Sequence, residues 1–412
     1  FKQKTAYEIK ECDWSSDVCS SDLGAAWNEA IANPVEPVLV DNAPCQEFVE
    51  TGDDLKKPGH GVARLPVPVS TPGFDAAPYL TATLCITKDP ETGARNTGMY
   101  RAALKATDRI AVRMVARPGG AGGWVHWLKY RERNERMPIA IALGAAPPIV
   151  FASPQKLAQD LDEFAVAGAL AGAPVELVRC KTVPLEIPAR AEIVIEGWIE
   201  PDLLEPEAPF GESNGYVALE AFNMPVQVTA VTHRRKPVFN AIISQVTPSE
   251  SSVIKKVAYE PLYLRHLTKT LGVKGVLRVV MHEPLTNLRP VIFVQFRYGV
   301  PKTEVWRALQ GCSAFVAGQG KMVVAVSDDV DPSSVDAVLW SIAYRSNPLE
   351  DTLMMPFRRG VQGAQYGANQ TDSSLLIDAT RKALMPPLAL PAREFMRSEE
   401  HTSELQSHSF IS

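Results

Sequence analysis

The order of β-like and helical segments along the chain constrains its fold most strongly. Residues 79–244 contain one short β-prone run after another, each bounded by turn residues, including LTATLCIT, PIAIAL, AEIVIEGWI and PVQVTAVTH. Residues 272–393 instead alternate strands and helices, as VIFVQFRY, TEVWRALQGCSAFVAG, KMVVAVSD and SSVDAVLWSIAYR. Many short strands favour a barrel, and the later alternation favours an α/β unit. The sequence therefore predicts an α+β protein with two differently built parts.

The segments that flank these parts are assigned by their composition. Residues 1–23 and 397–412 resemble translated read-through of a sequencing adapter, so we set them aside as non-native tails. Residues 24–78 are rich in Pro, Gly and Asp and resemble the remnant of a longer N-terminal region. We predict a central domain over 79–250, a linking helix over 251–271 and a C-terminal domain over 272–396. A further helix is predicted with Ser153 as its N-cap and Pro154 in its first turn.

Composition excludes several classes of function. The 412 residues are 46% hydrophobic and 22% charged, enough for a large core in two or three domains. A net charge of -5 without a Lys/Arg run argues against nucleic-acid binding. The apolar run IAIALGAAPPIVFA is broken by two prolines, so no membrane span is predicted and a cytoplasmic protein is expected. Cysteine and histidine spacing gives no zinc motif, which favours free thiols.

The densest cluster of polar residues lies in EPEAPFGESNGY, residues 205–216. Pro209 and Gly211 permit a bend that would turn Glu207 and Glu212 into one pocket. Paired carboxylates in a dry pocket can divide the roles of anion and proton donor, which suits proton delivery to a carbanion. An acidic surface turn is the simpler interpretation of the same spacing.

The same segment matches the G-x-S-x-G motif of serine hydrolases through Gly211-Glu212-Ser213-Asn214-Gly215. That motif requires a helix after the serine, whereas the β-like run YVALEAF follows here. A serine hydrolase is therefore the weaker alternative, and the absence of a helix after Ser213 would remove it.

Other candidate residues are open to two interpretations each. Arg101, five residues after Asn96, could clamp a carboxylate or be a simple surface arginine. Glu163 shares a predicted helix face with Lys156 and Asp160, which is typical of a solvated stripe. The glycine-rich RPGGAGGW could present N–H groups to a phosphate or form a hairpin turn.

Taken in order, these fragments resemble the UbiD family of prenylated-FMN-dependent decarboxylases. The resemblance rests on NTGMYR, PIAIALG, DEFAVAGALAG, AEIVIEG, PEAPFGESNGY and KMVVAVSDDVDPSSVDAVLWSIAYR, and it covers about residues 35–393. It implies a central flavin-binding split β-barrel followed by a C-terminal α/β domain that dimerises. The family's N-terminal region is expected to be truncated in this chain.

The resemblance also implies roles for individual residues. A catalytic network would consist of Glu207, Arg101 and Glu212, with Glu212 kept protonated by burial in the pocket. Prenylated FMN and a divalent metal (Mn²⁺ or Mg²⁺, with K⁺ as a further candidate) would be the cofactors. Asn96 and Glu163 would hold the metal, and the residues that would contact the cofactor are Asn96, Arg101, Ala152, Ser153, Glu163 and Lys382. The chain departs from the family near Gly122, where many members carry a metal-binding His; His126 lies one turn later.

The implied activity is reversible non-oxidative decarboxylation of an aromatic, heteroaromatic or α,β-unsaturated carboxylic acid. Its partners would be that acid, carbon dioxide, a flavin prenyltransferase that supplies the cofactor, and a second copy of the chain. A flavin-binding scaffold without decarboxylase activity is the alternative from another class.

Overall fold

The computed structural model describes most of the chain between residues 18 and 382. The described residues are 18–114, 121–155, 157, 161–218, 221–243, 245, 249–283, 290–316, 318–359 and 371–382. The chain divides into two compact units, residues 1–255 and 256–412. None of the described helices combines the length and apolar character that crossing a bilayer demands.

Seven α-helices are found among the described residues, and a π-helix, His266–Thr270, directly continues the fifth. The α-helices are α1 (Val18–Ala32), α2 (Gly122–Glu132), α3 (Pro147–Ala152), α4 (Glu163–Ala171), α5 (Glu250–Arg265), α6 (Lys302–Phe315) and α7 (Val335–Arg345). The first of these begins inside the segment that was set aside as a tail. The last, α7, has Ser334 as its N-cap, and the Ser334 side chain accepts a hydrogen bond from the Ala337 N–H.

The first unit is built mainly from short strands. They are β1 (Val38–Leu39), β2 (Phe48–Thr51), β3 (Tyr79–Leu80), β4 (Leu84–Lys88), β5 (Arg95–Gly98), β6 (Ala102–Ala106), β7 (Arg109–Val112), β8 (Met137–Leu143), β9 (Glu176–Arg179), β10 (Glu186–Pro188), β11 (Ile193–Ile199), β12 (Glu205–Glu207), β13 (Phe210–Gly211), β14 (Val217–Ala218) and β15 (Ala221–His233). Ten of them form one sheet in the order β3-β6-β7-β15-β11-β8-β4-β5, with β2 and β12 also paired to β15.

The long strand β15 organises this sheet. Its thirteen residues pair antiparallel with four strands, β2, β7, β11 and β12. Strand β8 is buried along its whole length, and its apolar side chains pack in one cluster with those of β11. Because β15 binds both β12 and β7, the residues that adjoin these two strands are brought to one end of the sheet.

The second unit contains a five-stranded mixed sheet in the order β16-β17-β18-β20-β19. The strands are β16 (Val276–Met281), β17 (Val291–Phe296), β18 (Met322–Ser327), β19 (Thr352–Arg359) and β20 (Thr371–Asp378). Strands β17, β18 and β20 run parallel, and α6 and α7 are the helices of the predicted alternation. The predicted α+β class is confirmed.

Several local predictions are wrong. Ser153 does not begin a helix: it follows α3, and its hydroxyl donates to the Ile149 carbonyl at 2.7 Å. Helix α4 is capped by Asp162 instead, whose carboxylate accepts from Phe164 N. The β-like run PVFNAII, residues 237–243 within the strand-rich part, forms no strand. Residues 117–120 of the glycine-rich segment lie outside the described residues, and its last three residues begin α2.

Candidate active site

Arg101 and Glu207 form a buried bidentate ion pair. Arg101 directly precedes β6, and its Nε and Nη2 lie 2.7 and 3.1 Å from Glu207 Oε1 and Oε2. The Glu207 side chain is fully buried and that of Arg101 is 11% exposed. The planar fork of a guanidinium matches a carboxylate in this way, so the pair fixes the orientation of Arg101.

Glu212 completes a cluster of four charged side chains. It follows β13 in the turn to β14, and its Oε1 accepts from Arg101 Nη1 at 3.0 Å and from Arg113 Nη1 at 2.7 Å. Its side chain is 30% exposed. We call these residues (Arg101, Arg113, Glu207 and Glu212) the arginine–glutamate quartet.

The predicted burial of Glu212 is wrong. We expected burial to keep Glu212 protonated, but Glu207 is the buried carboxylate and Glu212 keeps access to solvent. Two guanidinium groups on one oxygen favour the ionised carboxylate. In this conformation Glu212 thus acts as an acceptor for Arg101 and Arg113.

Aromatic rings and a tight turn hold the quartet in place. The Arg101 guanidinium lies 4.6 Å from the centre of the Phe210 ring and 5.7 Å from that of Tyr79. The Tyr79 hydroxyl accepts a hydrogen bond from the backbone N–H of Ala208, and Ala208 has a left-handed φ of 83°. Burial, reinforced by the nearby Glu207 carboxylate, raises the pKa of Tyr79 to about 12. The bend predicted between Glu207 and Glu212 thus brings both carboxylates to Arg101.

A second polar group surrounds Asn96 and Glu163. Glu163 begins α4 and is only 8% exposed, so it is not part of a solvated stripe; Lys156 and Asp160 lie outside the described residues. Its Oε2 accepts from Thr97 N at 2.9 Å, and burial raises its pKa to about 7. The side-chain nitrogen of Asn96 is buried and has no hydrogen-bond partner within the described residues.

The region around Gly122 explains how Asn96 is accommodated. A methyl group built on Gly122 would collide with the Asn96 side-chain oxygen, so the amide occupies the space that a larger residue would fill. His126 is buried and its Nδ1 lies 2.9 Å from Thr87 Oγ1, which leaves it paired to β4. Burial lowers the pKa of His126 to about 4.

The remaining predicted cofactor residues lie apart in the chain. Ala152 and Ser153 are buried at the end of α3, just upstream of α4. Lys382 belongs to the second unit, where its ammonium donates to the Arg345 and Asp378 carbonyls at 2.8 and 2.6 Å and pairs with Asp351 at 2.9 Å. Its assignment to a phosphate stays a prediction.

These contacts fit the groups that a phosphorylated flavin and a hard cation require. Asn96 offers its amide oxygen as a ligand and a buried amide N–H without a partner among the described residues, and Glu163 offers a carboxylate whose pKa is raised to about 7 by burial. Oxygen ligands of this kind suit Mg²⁺ or Mn²⁺. A bound cation would favour the ionised form of Glu163, which burial disfavours. The groups of three or more His, Cys, Asp or Glu that define a protein-only metal site are not found in the described part of the chain.

Three residues of the site were not predicted from the sequence. Arg113, Asn223 and Tyr79 contact the predicted residues from other strands; Asn223 Nδ2 lies 3.4 Å from Glu207 Oε2. The charged residue inside the apolar run RIAVRMVA was the one available signal for Arg113. The hydrolase alternative fails, because the turn that contains Ser213 leads into β14 and not into a helix.

Comparison with known families covers most of the chain. Residues 37–246 match the 3-octaprenyl-4-hydroxybenzoate carboxy-lyase Rift-related domain of UbiD. Residues 252–379 match the C-terminal domain of the same carboxy-lyase. The two matches therefore include both compact units.

Solved structures of UbiD-class enzymes are also similar. HmfF from Pelotomaculum thermopropionicum in complex with FMN has a TM-score of 0.79 at 30% identity, over 90% of this chain and 79% of that chain. An evolved dimeric form of HmfF in complex with prFMN gives 0.78 at 29% identity, over 90% and 80%. The 3,4-dihydroxybenzoic acid decarboxylase AroY of Klebsiella pneumoniae gives 0.78 at 24% identity, over 92% and 82%, a likeness that concerns the fold alone. The chain belongs to the UbiD family of carboxy-lyase decarboxylases.

Proposed function

We propose that this protein carries out reversible non-oxidative decarboxylation of an aromatic, heteroaromatic or α,β-unsaturated carboxylic acid with prenylated FMN. The observation that carries the proposal is the convergence of two carboxylates, Glu207 and Glu212, on the guanidinium of Arg101. A cluster that served stability alone would not need Glu212 as a second, partly exposed carboxylate on an arginine already neutralised by Glu207.

The residues of the quartet have separate tasks in this reaction. Arg101, fixed by Glu207, orients the carboxylate of the acid in a partly dry pocket, where conversion of the charged carboxylate into neutral carbon dioxide is favoured and the electron pair stays on the carbon. Glu212 returns a proton to the carbon that lost the carboxylate, and its 30% exposure gives it access to solvent protons. Prenylated FMN, when bound, supplies the electron sink that a carbanion at an unsaturated carbon requires.

Asn96 and Glu163 are the residues that we propose as metal ligands. A divalent cation, Mn²⁺ or Mg²⁺, would stabilise the ionised form of Glu163, whose pKa is raised to about 7 by burial. Ala152, Ser153 and Lys382 are proposed cofactor contacts by their match to the family. A homodimer, a flavin prenyltransferase as cofactor supplier, a K⁺ ion and a cytoplasmic location belong to the same proposal.

The first experiment is mass spectrometry of the small molecules released from protein that was co-expressed with a flavin prenyltransferase. We expect prenylated FMN at close to one molecule per chain, followed by carbon dioxide release from a panel of unsaturated and aromatic acids. Glu212→Gln should retain the cofactor and lose turnover by at least about a hundredfold, because general acid catalysis is removed.

The result also separates the alternatives. Stoichiometric prenylated FMN with no carbon dioxide release from any acid would favour a flavin-binding scaffold. Well-folded protein without flavin would contradict the proposed cofactor site, and full turnover in Glu212→Gln would contradict the role of Glu212.

A further inference from the structure

Arg113 is held next to Arg101 by its backbone and next to Glu212 by its side chain. It directly follows β7, and its backbone N–H donates to the Arg101 carbonyl at 3.0 Å. The two arginines therefore enter the site from adjacent strands. Both bind the same oxygen of Glu212, Arg113 at 2.7 Å and Arg101 at 3.0 Å.

The two arginines differ in their other partners. Arg101 is already bound by both oxygens of Glu207, whereas the described residues give the Arg113 side chain one partner, Glu212. Arg113 is 18% exposed, so its contact with Glu212 is only partly screened by water. Among the described residues, the shorter of the two bonds to Glu212 thus comes from the arginine whose side chain has no other partner.

This contact opposes the chemistry proposed for Glu212. A carboxyl group can donate a proton only after binding one, and a guanidinium on the same oxygen competes with that proton. We propose that Arg113 is a positioning residue: it holds Glu212 ionised between turnovers, and this ion pair opens before Glu212 donates a proton. The inference rests on the proposed function, because it specifies how the same site is reset.

The proton balance of this cycle is closed. Breaking the bond between the substrate carbon and its carboxylate releases carbon dioxide and leaves an electron pair on that carbon. The O–H bond of protonated Glu212 breaks and a C–H bond forms. Glu212 is then a carboxylate again and pairs with Arg113 until a solvent proton reaches it.

The test compares two substitutions of Arg113. In Arg113→Gln the charge is lost, so we expect the alkaline limit of turnover to move to higher pH by about one unit or more. Arg113→Lys keeps the charge and should keep the wild-type limit. Other charged groups near Glu212 remain in both variants, namely Arg101, Glu207 and Asp75, whose Oδ1 lies 3.4 Å from Gly211 N.

Arg109→Gln is the matched control. Arg109 lies on the same strand, β7, but pairs with Glu205 at 2.9 Å, and its side chain is 45% exposed. It removes an equal charge without touching Glu212, so the alkaline limit should stay in place. A turnover that falls at every pH in Arg113→Gln, with an unmoved alkaline limit, would reduce Arg113 to a structural residue and overturn the proposal.

A second measurement needs no substrate. Carbon-13 NMR of protein labelled at glutamate carboxyl carbons can follow Glu212, whose signal is assigned by its loss in Glu212→Gln. Its titration midpoint should move to higher pH in Arg113→Gln and stay near the wild-type value in Arg113→Lys. An unmoved midpoint would contradict the inference even in an active enzyme, whereas a moved midpoint in a protein that releases no carbon dioxide would contradict only the proposed function.

Discussion

At the scale of single residues, burial decides which groups carry charge. His126 is 6% exposed, and burial lowers its pKa from 6.5 to about 4. The unfolded chain binds a proton at this imidazole below about pH 6.5, whereas the folded chain does so only near pH 4. The free energy of unfolding should therefore fall as the pH drops through this window.

We expect this residue to remove about 2 kcal/mol of stability between pH 7 and pH 5. The measurement is urea unfolding of wild type and His126→Gln at both pH values. The variant should lose less stability on acidification than the wild type does. Equal losses in the two proteins would show that His126 titrates alike in the folded and unfolded chains.

Sequence alone identified the residues that share a local motif but not those that meet across strands. Glu207 and Glu212 could be predicted because the bend between them is encoded within five residues. Arg113 could not, because its bond to Glu212 spans 99 positions and depends on the pairing of β7 with β15. For the same reason the sequence predicts a solvated stripe at Glu163, whereas its burial depends on a contact with Thr97 of β5, 66 positions earlier.

At the scale of elements, a glycine marks a position where two central strands leave no room for a side chain. Gly197 lies at the bulge of β11 against β15, and a methyl group there would meet the Gln227 carbonyl and lie 2.6 Å from Val226 Cγ1. Gly197→Ala should cost about 2 kcal/mol because both neighbours belong to a buried, paired strand. Urea unfolding measures the loss.

The C-cap residue of α4, Gly172, provides the comparison. Gly172 has a left-handed φ of 69° but open space around it, so Gly172→Ala should cost about 1 kcal/mol from backbone strain alone. An unchanged free energy of unfolding in Gly197→Ala would contradict this prediction, because it would show that the bulge can accommodate a methyl group.

Strands with continuous apolar runs were predictable, and helix boundaries in small-residue segments were not. β8 and β11 follow directly from PIAIAL and AEIVIEGWI, since a run buried on both faces has no polar side. Helix α3 could not be predicted, because PPIVFA is too short for a helical period to appear. Asp162 takes the capping role that was given to Ser153, because the helix begins nine residues later than the sequence indicated.

At the scale of the whole molecule, the two compact units have their own buried clusters. In the second unit, Leu309 of α6 is fully buried among residues of that unit. Leu309→Ala should therefore destabilise that unit by about 3 kcal/mol, through lost transfer energy and a residual cavity.

Hydrogen exchange followed by mass spectrometry can localise the effect. Peptides from residues 256–382 should exchange faster in Leu309→Ala, and peptides from 79–233 should change less. Leu339→Ala, at a 56% exposed position of α7, is the control and should change neither set. Equal acceleration of both sets would mean that the chain opens as one cooperative body.

The α+β class and the order of its parts were predictable because periodicity of two gives way to alternating strands and helices near residue 272. The pairing of ten strands into one sheet was not, since four partners of β15 lie up to about 180 positions away along the chain. Nothing in a local pattern encodes such distant register.

The two guanidinium groups and two carboxylates of the quartet cancel in formal charge. For the proposed reaction, an acid that arrives as an anion upsets this neutrality, while carbon dioxide leaves uncharged, so each cycle draws one hydrogen ion from the medium. Such a site therefore catalyses decarboxylation and carboxylation alike. The net direction is set by mass action: acidity drives the equilibrium toward release of carbon dioxide, and alkaline conditions with a high pressure of carbon dioxide drive carboxylation.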